Sequence, residues 1–156
     1  MDNESLNQFG KTIEEFLKLK EYPEYLLNVP VSEGKWSIRE IVGHIFYWDK
    51  FNMETMVTNM SNGAKLPPFP DHDSQNKEAV SYIDKFDSIA SIIDAFMETR
   101  EQLIEIITGI DESVVFKIEN EPYEFSIESF VELFVEHDAH HMKQIQKHLN
   151  KCLINE

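Results

Sequence analysis

Residues 137–145, HDAHHMKQI, lie near the C-terminal end of the chain and carry its most specific spacing of side chains. On an α-helix, side chains four positions apart lie on one face with an axial offset of about 6 Å. His137 and His141 can therefore reach one common point, as metal ligands must. The metalloprotease helix motif binds zinc with the same spacing. The glutamate that follows the first histidine in that motif is replaced here by Asp138, so a shared ion would not imply protease chemistry.

A second informative stretch lies about ninety residues earlier and has a clear helix start. Ser37 is a good N-cap residue, and Glu40 stands three positions later, where a capping box requires it. Trp36 and Ile41 occupy the two positions of a hydrophobic staple. These local signals predict that a helix begins at Ile38.

Apolar residues recur every three or four positions in four segments, which predicts four amphipathic helices. The segments are residues 6–22, 38–59, 82–108 and 126–150. Residues 60–80 contain Asn62-Gly63, three prolines and a polar run, so we expect a long connection without a helix there. Residues 114–125 alternate loosely and are expected to be extended. The pattern predicts an all-α fold, a four-helix bundle with a long crossover between helices 2 and 3.

Length, charge and cysteine content narrow the class of protein. The 156 residues fit a single domain, 1–156, with one core. Acidic residues number 29 against 14 basic ones, and a net charge of −15 repels phosphate backbones and anionic lipids, so we expect no nucleic acid and no membrane as partner. The single Cys152 cannot form an internal disulfide, and no signal-peptide pattern opens the chain. We therefore expect a cytoplasmic protein.

The histidines of the two stretches have comparable positions on their helices. On a helical wheel of residues 126–150, His137 and His141 lie on one shoulder of the apolar stripe. His44 lies on the shoulder of the second helix, so a bundle can bring it against the pair. His140 faces away from the stripe and His72 lies in the polar connection, so neither is expected to be a ligand. From the residues alone, a metal site and ordinary core histidines both remain open.

Two carboxylates fall where a helix should be apolar. Asp138 lies in the middle of the apolar stripe of the last helix, and Asp49 is similarly placed on the second. An unpaired buried carboxylate costs several kcal/mol, so each needs a partner. Either could accept a hydrogen bond from the ring of a metal-ligating histidine. The alternatives are a basic residue, a backbone group or a subunit interface.

The stretch KWSIREIVGHI at residues 35–45 resembles the second-helix signature of the DinB family, and residues 137–145 resemble its fourth-helix signature. The resemblance implies a four-helix bundle, often a homodimer, that binds a divalent metal such as zinc or nickel. The ligands it implies are one histidine of the second helix and two of the fourth, which are His44, His137 and His141. Met142-Lys143 replaces the Arg-Gly often found there, so any role of that arginine does not carry over.

The resemblance also implies a class of chemistry. The superfamily includes transferases that use bacillithiol, mycothiol or related thiols, besides members described as metal-dependent hydrolases. Three neutral imidazoles would leave a divalent ion with an open position, which is typical of catalytic sites. We therefore expect an enzyme that transfers a small-molecule thiol to an electrophilic substrate. A hydrolase that uses metal-bound water and a non-catalytic metal-binding stress protein are the alternatives. An approach pocket lined by Trp48, Tyr47 and Phe134 would favour an enzyme.

Overall fold

The computed structural model describes residues 4–154 as a bundle built on four long helices. In chain order the helices are α1 (Glu4–Lys18), α2 (Glu24–Asn28), α3 (Ile38–Phe51), α4 (His72–Ile83), α5 (Ile89–Thr108) and α6 (Ile127–Ile154). Helix α1 packs against α5 and α6, and α3 packs against the same two helices. The long helices α5 and α6 therefore each lie between α1 and α3. This arrangement confirms the predicted four-helix bundle.

Helix α3 begins as its sequence predicts. The hydroxyl of Ser37 accepts a hydrogen bond from the backbone N–H of Glu40 at 3.1 Å, and the Glu40 carboxylate accepts one from the Ser37 N–H at 3.0 Å. Beyond Phe51 the chain continues through a π-turn, Asn52–Met56, and a 3₁₀-turn, Val57–Asn59. The helical path thus ends at the predicted residue, although its last two turns are not α-helical.

The prediction that residues 60–80 contain no helix was wrong, because α4 occupies His72–Ile83. Asp71 is its N-cap and accepts a hydrogen bond from the Ser74 N–H at 3.1 Å. Within this polar segment the residues at every fourth position are buried, namely Gln75, Ala79 and Ile83. Such a narrow buried face gives a weak periodic signal, which the surrounding polar residues conceal.

The predicted start of the third long helix at about residue 82 was also wrong. Helix α4 ends at Ile83, and α5 begins separately at Ile89 after its N-cap Ser88. Helix α4 packs closely on α3. A Cβ atom on Gly43 would come within 2.7 Å of the Ile83 side chain, so glycine at this position allows the close approach.

A small three-stranded sheet joins the long connection after α3 to the segment between α5 and α6. Its strands are β1 (Lys65–Leu66), β2 (Val115–Ile118) and β3 (Glu124–Ser126). Strand β1 runs parallel to β2, with Leu66 opposite Ile118, and β2 runs antiparallel to β3, with Phe116 opposite Phe125. The extended conformation predicted for residues 114–125 is confirmed. The sheet itself was not predicted, because β1 comes from the long connection after α3.

A polar layer divides the core into two apolar clusters. One cluster contains Phe9, Leu103 and Phe134, and the other contains Phe16, Phe96 and Met142. Between these clusters lie four buried polar side chains, which we call the polar layer: Thr12, Asp49, Arg100 and Asp138. Within residues 4–154, no helix combines the length and the apolar composition that a membrane span requires.

Candidate metal site

The ring nitrogens of His44, His137 and His141 converge at one point between α3 and α6. The Nε2 atom of His137 lies 2.9 Å from Nε2 of His44 and 3.2 Å from Nε2 of His141. One ligand atom from each of the three lies within 4.8 Å of the others. Two nitrogens bound to one zinc ion at about 2.1 Å lie roughly 3.0 to 3.4 Å apart for bond angles near 90 to 110°. The two separations from His137 are close to that range.

All three imidazoles are held in the neutral form that a metal ion requires. The pKa of His44 is lowered to about 3, first by burial and then by the neighbouring His137 and His141. Burial, followed by repulsion from His141, lowers the pKa of His137 to about 4. Burial also lowers the pKa of His141, against the effect of Gln144. At neutral pH each ring therefore offers a lone pair.

Gln144 orients one of these rings. Its side-chain oxygen lies 2.8 Å from Nδ1 of His141, which identifies this nitrogen as the donor. The Nε2 atom of His141 then carries the lone pair and points at the other two histidines. A partner on the far nitrogen is the usual support for a metal-ligating histidine. Gln144 was not among the site residues predicted from the sequence, although its position three residues after His141 on one helix is a signal of this contact.

Asn76, on helix α4, is a second residue beside the histidines that was not predicted from the sequence. The Asn76 side chain lies near enough to His44 to raise its pKa. The Nδ1 atom of His44 and the Oδ1 atom of Asn76 are both buried, and neither has a hydrogen bond of ordinary geometry. Asn76 was placed in a segment expected to be irregular, so no periodic pattern drew attention to it.

The two buried carboxylates bind Arg100. The Arg100 guanidinium donates to Asp49 through Nε and Nη2, and to Asp138 through Nη1 at 2.7 Å. Thr12 donates a further hydrogen bond to Asp138 at 2.9 Å. The partner of both carboxylates is thus a basic residue, Arg100. Within residues 4–154, no hydrogen bond joins Asp49 or Asp138 to a histidine. Asp49 and Asp138 instead anchor the two helices that carry the histidines.

An open pocket of about 460 Å³ leads to the three histidines. Besides them it is lined by Trp36, Trp48, Phe69, His72, Asn76, Glu121, Tyr123, Leu133, Phe134 and His140. Trp48 and Phe134 therefore have the positions expected of pocket residues. Tyr47 lies outside this lining, and its hydroxyl donates to Glu78 at 3.2 Å. His72 was not expected to be a ligand and lies outside the three-histidine cluster, although α4 places it in the pocket wall, 5.8 Å from the Trp48 ring.

A search of proteins with curated descriptions found no match to the chain. Among solved structures, the fold is similar to that of YfiT from Bacillus subtilis, described as a probable metal-dependent hydrolase with an unusual four-helix bundle topology. The two are 16% identical, with a TM-score of 0.66, over 97% of this chain and 89% of that one. This likeness concerns the fold. Residues 8–145 match the sequence model of the DinB superfamily, and the chain therefore belongs to that superfamily.

Proposed function

We propose that this protein is a divalent-metal-dependent enzyme that joins a small-molecule thiol to an electrophile. The observation that carries the proposal is the convergence of three neutral histidine nitrogens at the floor of an open pocket. A non-catalytic metal-binding protein would not need an open pocket of about 460 Å³ leading to its ion. The open pocket therefore favours an enzyme over the non-catalytic alternative.

The residues present fit a divalent metal ion. His44, His137 and His141 would hold it through nitrogen, a ligand type that suits both zinc and nickel. The tautomer of His141 is set by Gln144 before any ion arrives. Fewer than four protein ligands is typical of catalytic sites, and an ion held in this way lowers the pKa of a thiol or a water molecule that binds beside it. The walls of the pocket would then hold the electrophile near the nucleophile and exclude bulk water.

Bacillithiol is our first choice of nucleophile, on the strength of the superfamily's known transferases. Hydrolysis by activated water is the second candidate, and it is supported by the description of YfiT as a probable metal-dependent hydrolase. Both reactions need the same three histidines. They differ in whether a thiol must be supplied.

Turnover of zinc-loaded and nickel-loaded protein with monochlorobimane would test the proposal. Attack by the thiol forms a carbon–sulfur bond and releases chloride and a proton, so bimane fluorescence reports each turnover. We expect catalysis with bacillithiol that is lost in His141→Ala and kept in Gln146→Ala, whose side chain is exposed on the same helix and outside the pocket lining. Equal rates for the wild type and His141→Ala would refute the catalytic claim. Hydrolysis of a nitrophenyl ester without thiol, lost in the same variant, would identify the second candidate instead.

A further inference from the structure

Three aromatic rings form a continuous apolar wall beside the histidines. The rings of Trp48, Phe69 and Phe134 lie 5.9 to 6.2 Å from one another, centre to centre. We call these three rings the aromatic wall. The Phe134 ring lies 6.4 Å from that of His137, so the wall extends to the proposed metal site. A flat apolar group resting on this wall would lie next to the reacting centre.

Apart from its histidines, the pocket lining carries a negative charge and no positive one. None of the lining residues is lysine or arginine, and the only charged side chain among them is Glu121. Glu121 lies on the connection between β2 and β3 and is partly buried. Its side chain forms no hydrogen bond or ion pair with any residue in 4–154. The chain as a whole carries a net charge of −15, which disfavours anions in the metal-free pocket, whereas a divalent ion bound by the histidines would attract them.

A ring at the rim adds to this preference. Tyr123 lies two residues after Glu121, lines the same pocket and is 53% exposed. The face of an aromatic ring attracts a cation, and a nearby carboxylate strengthens that attraction. Glu121 and Tyr123 thus give the pocket lining the two kinds of group that recognise an ammonium ion, a carboxylate and an aromatic face.

We propose that the pocket selects a substrate with a flat apolar body, and that it favours a positive group beside Glu121. The apolar body packs on the aromatic wall, and the positive group lies near the rim. This inference rests on the proposed function, because it describes the molecule that reacts at the same site. It goes beyond that function by stating which electrophiles enter.

The chain contains its own reporter of binding. Both of its two tryptophans, Trp36 and Trp48, line this pocket. A change in tryptophan fluorescence when a probe fills the pocket therefore reports occupancy without turnover. The probes are benzyltrimethylammonium, benzyl alcohol and benzenesulfonate, which share a benzene ring and differ in charge. The quaternary ammonium cannot ligate a metal ion, so any preference for it originates in the pocket walls.

On metal-free protein, where no bound cation offsets Glu121, we expect benzyltrimethylammonium to bind most tightly, benzyl alcohol less tightly and benzenesulfonate least. Glu121→Gln should weaken the cation by about two- to fivefold, the size of a partly exposed cation contact, and leave benzyl alcohol unchanged. Glu119→Gln is the matched control, because Glu119 is exposed on the same hairpin and outside the pocket lining. Phe69→Leu should weaken all three probes and keep their order.

The inference is overturned if benzenesulfonate binds as tightly as the cation, or if Glu121→Gln and Glu119→Gln change cation binding equally. The probes are unreactive, so this result is separate from the turnover assay. If the order of binding holds and no turnover is found, the selectivity stands and the proposed function fails. If turnover is found but the order of probe binding does not hold, the proposed function stands and the selectivity fails.

Discussion

The guanidinium of Arg100 forms a two-pronged ion pair with Asp49, with Nε 2.6 Å from Oδ2 and Nη2 2.9 Å from Oδ1. The same guanidinium binds Asp138 and the backbone carbonyl of Phe9. Asp49 lies on α3 with His44, and Asp138 is adjacent to His137 on α6. Arg100 on α5 thus joins the two helices that carry the histidines, at the level of the candidate metal site.

Arg100→Met should lower the free energy of unfolding by about 3 to 5 kcal/mol, because it leaves two buried carboxylates without their charge partner. Urea unfolding followed by circular dichroism would measure this change. Lys50→Met is the control, since Lys50 forms a partly exposed pair with Glu54 and should cost about 1 kcal/mol or less. Adding Asp49→Asn and Asp138→Asn to Arg100→Met should restore part of the loss. Similar stabilities of Arg100→Met and Lys50→Met would contradict the anchoring role.

The three converging histidines make a prediction about metal content. His44→Ala, His137→Ala and His141→Ala should each lose bound metal, because two remaining imidazoles hold a divalent ion much less tightly. His140 and His72 line the same pocket but do not belong to the cluster, so His140→Ala and His72→Ala should keep the bound metal. Elemental analysis of the purified variants would measure the metal-to-protein ratio. Full metal content in any of the first three would remove that residue from the ligand set.

Gln144→Ala should weaken metal binding by about tenfold or more, the usual effect of removing the partner of a ligating histidine. Without Gln144, the His141 ring is free to adopt the other tautomer or to rotate. Competition with a zinc-binding dye would give the two dissociation constants. Gln146→Ala is a matched control, because Gln146 is exposed on the same helix and lies outside the pocket. If Gln144→Ala and Gln146→Ala bind zinc equally tightly, the tautomer of His141 does not depend on Gln144.

The metal-free protein should lose stability as the pH falls from about 6.5 to 4.5. In this window the unfolded chain protonates its histidines, whereas the lowered pKa values of about 3 for His44 and about 4 for His137 keep them neutral in the fold. The unfolded state then binds more protons, so each histidine costs stability on the order of 2 kcal/mol.

Urea unfolding of the wild type and His44→Asn at pH 6.5 and 4.5 would measure this effect. The variant should show the smaller loss, while His140→Asn should match the wild type. Comparing variants also removes the contribution of Asp49, whose pKa is raised to about 6 by burial and therefore acts in the opposite direction. An identical loss in His44→Asn and the wild type would argue against a neutral, buried His44.

Local signals in the sequence determined two elements of the site. The capping box of Ser37 and Glu40 predicts the start of α3, and the spacing of His137 and His141 places both on one face of α6. These features depend on contacts three or four residues apart, which helix geometry alone specifies. The same local reasoning failed for α4. Its buried face is only Gln75, Ala79 and Ile83, and its stability depends on packing against α3.

The sequence by itself determined that this chain forms a helical bundle with a pair of histidines on one helix, and that Asp49 and Asp138 need partners. Only the tertiary structure decided that Arg100 is that partner, that His44 meets the pair, and that α4 and the β2–β3 connection complete the pocket. The physical reason is that these contacts join residues far apart in the chain. Their geometry is set by how the helices pack around the core, which no local pattern records.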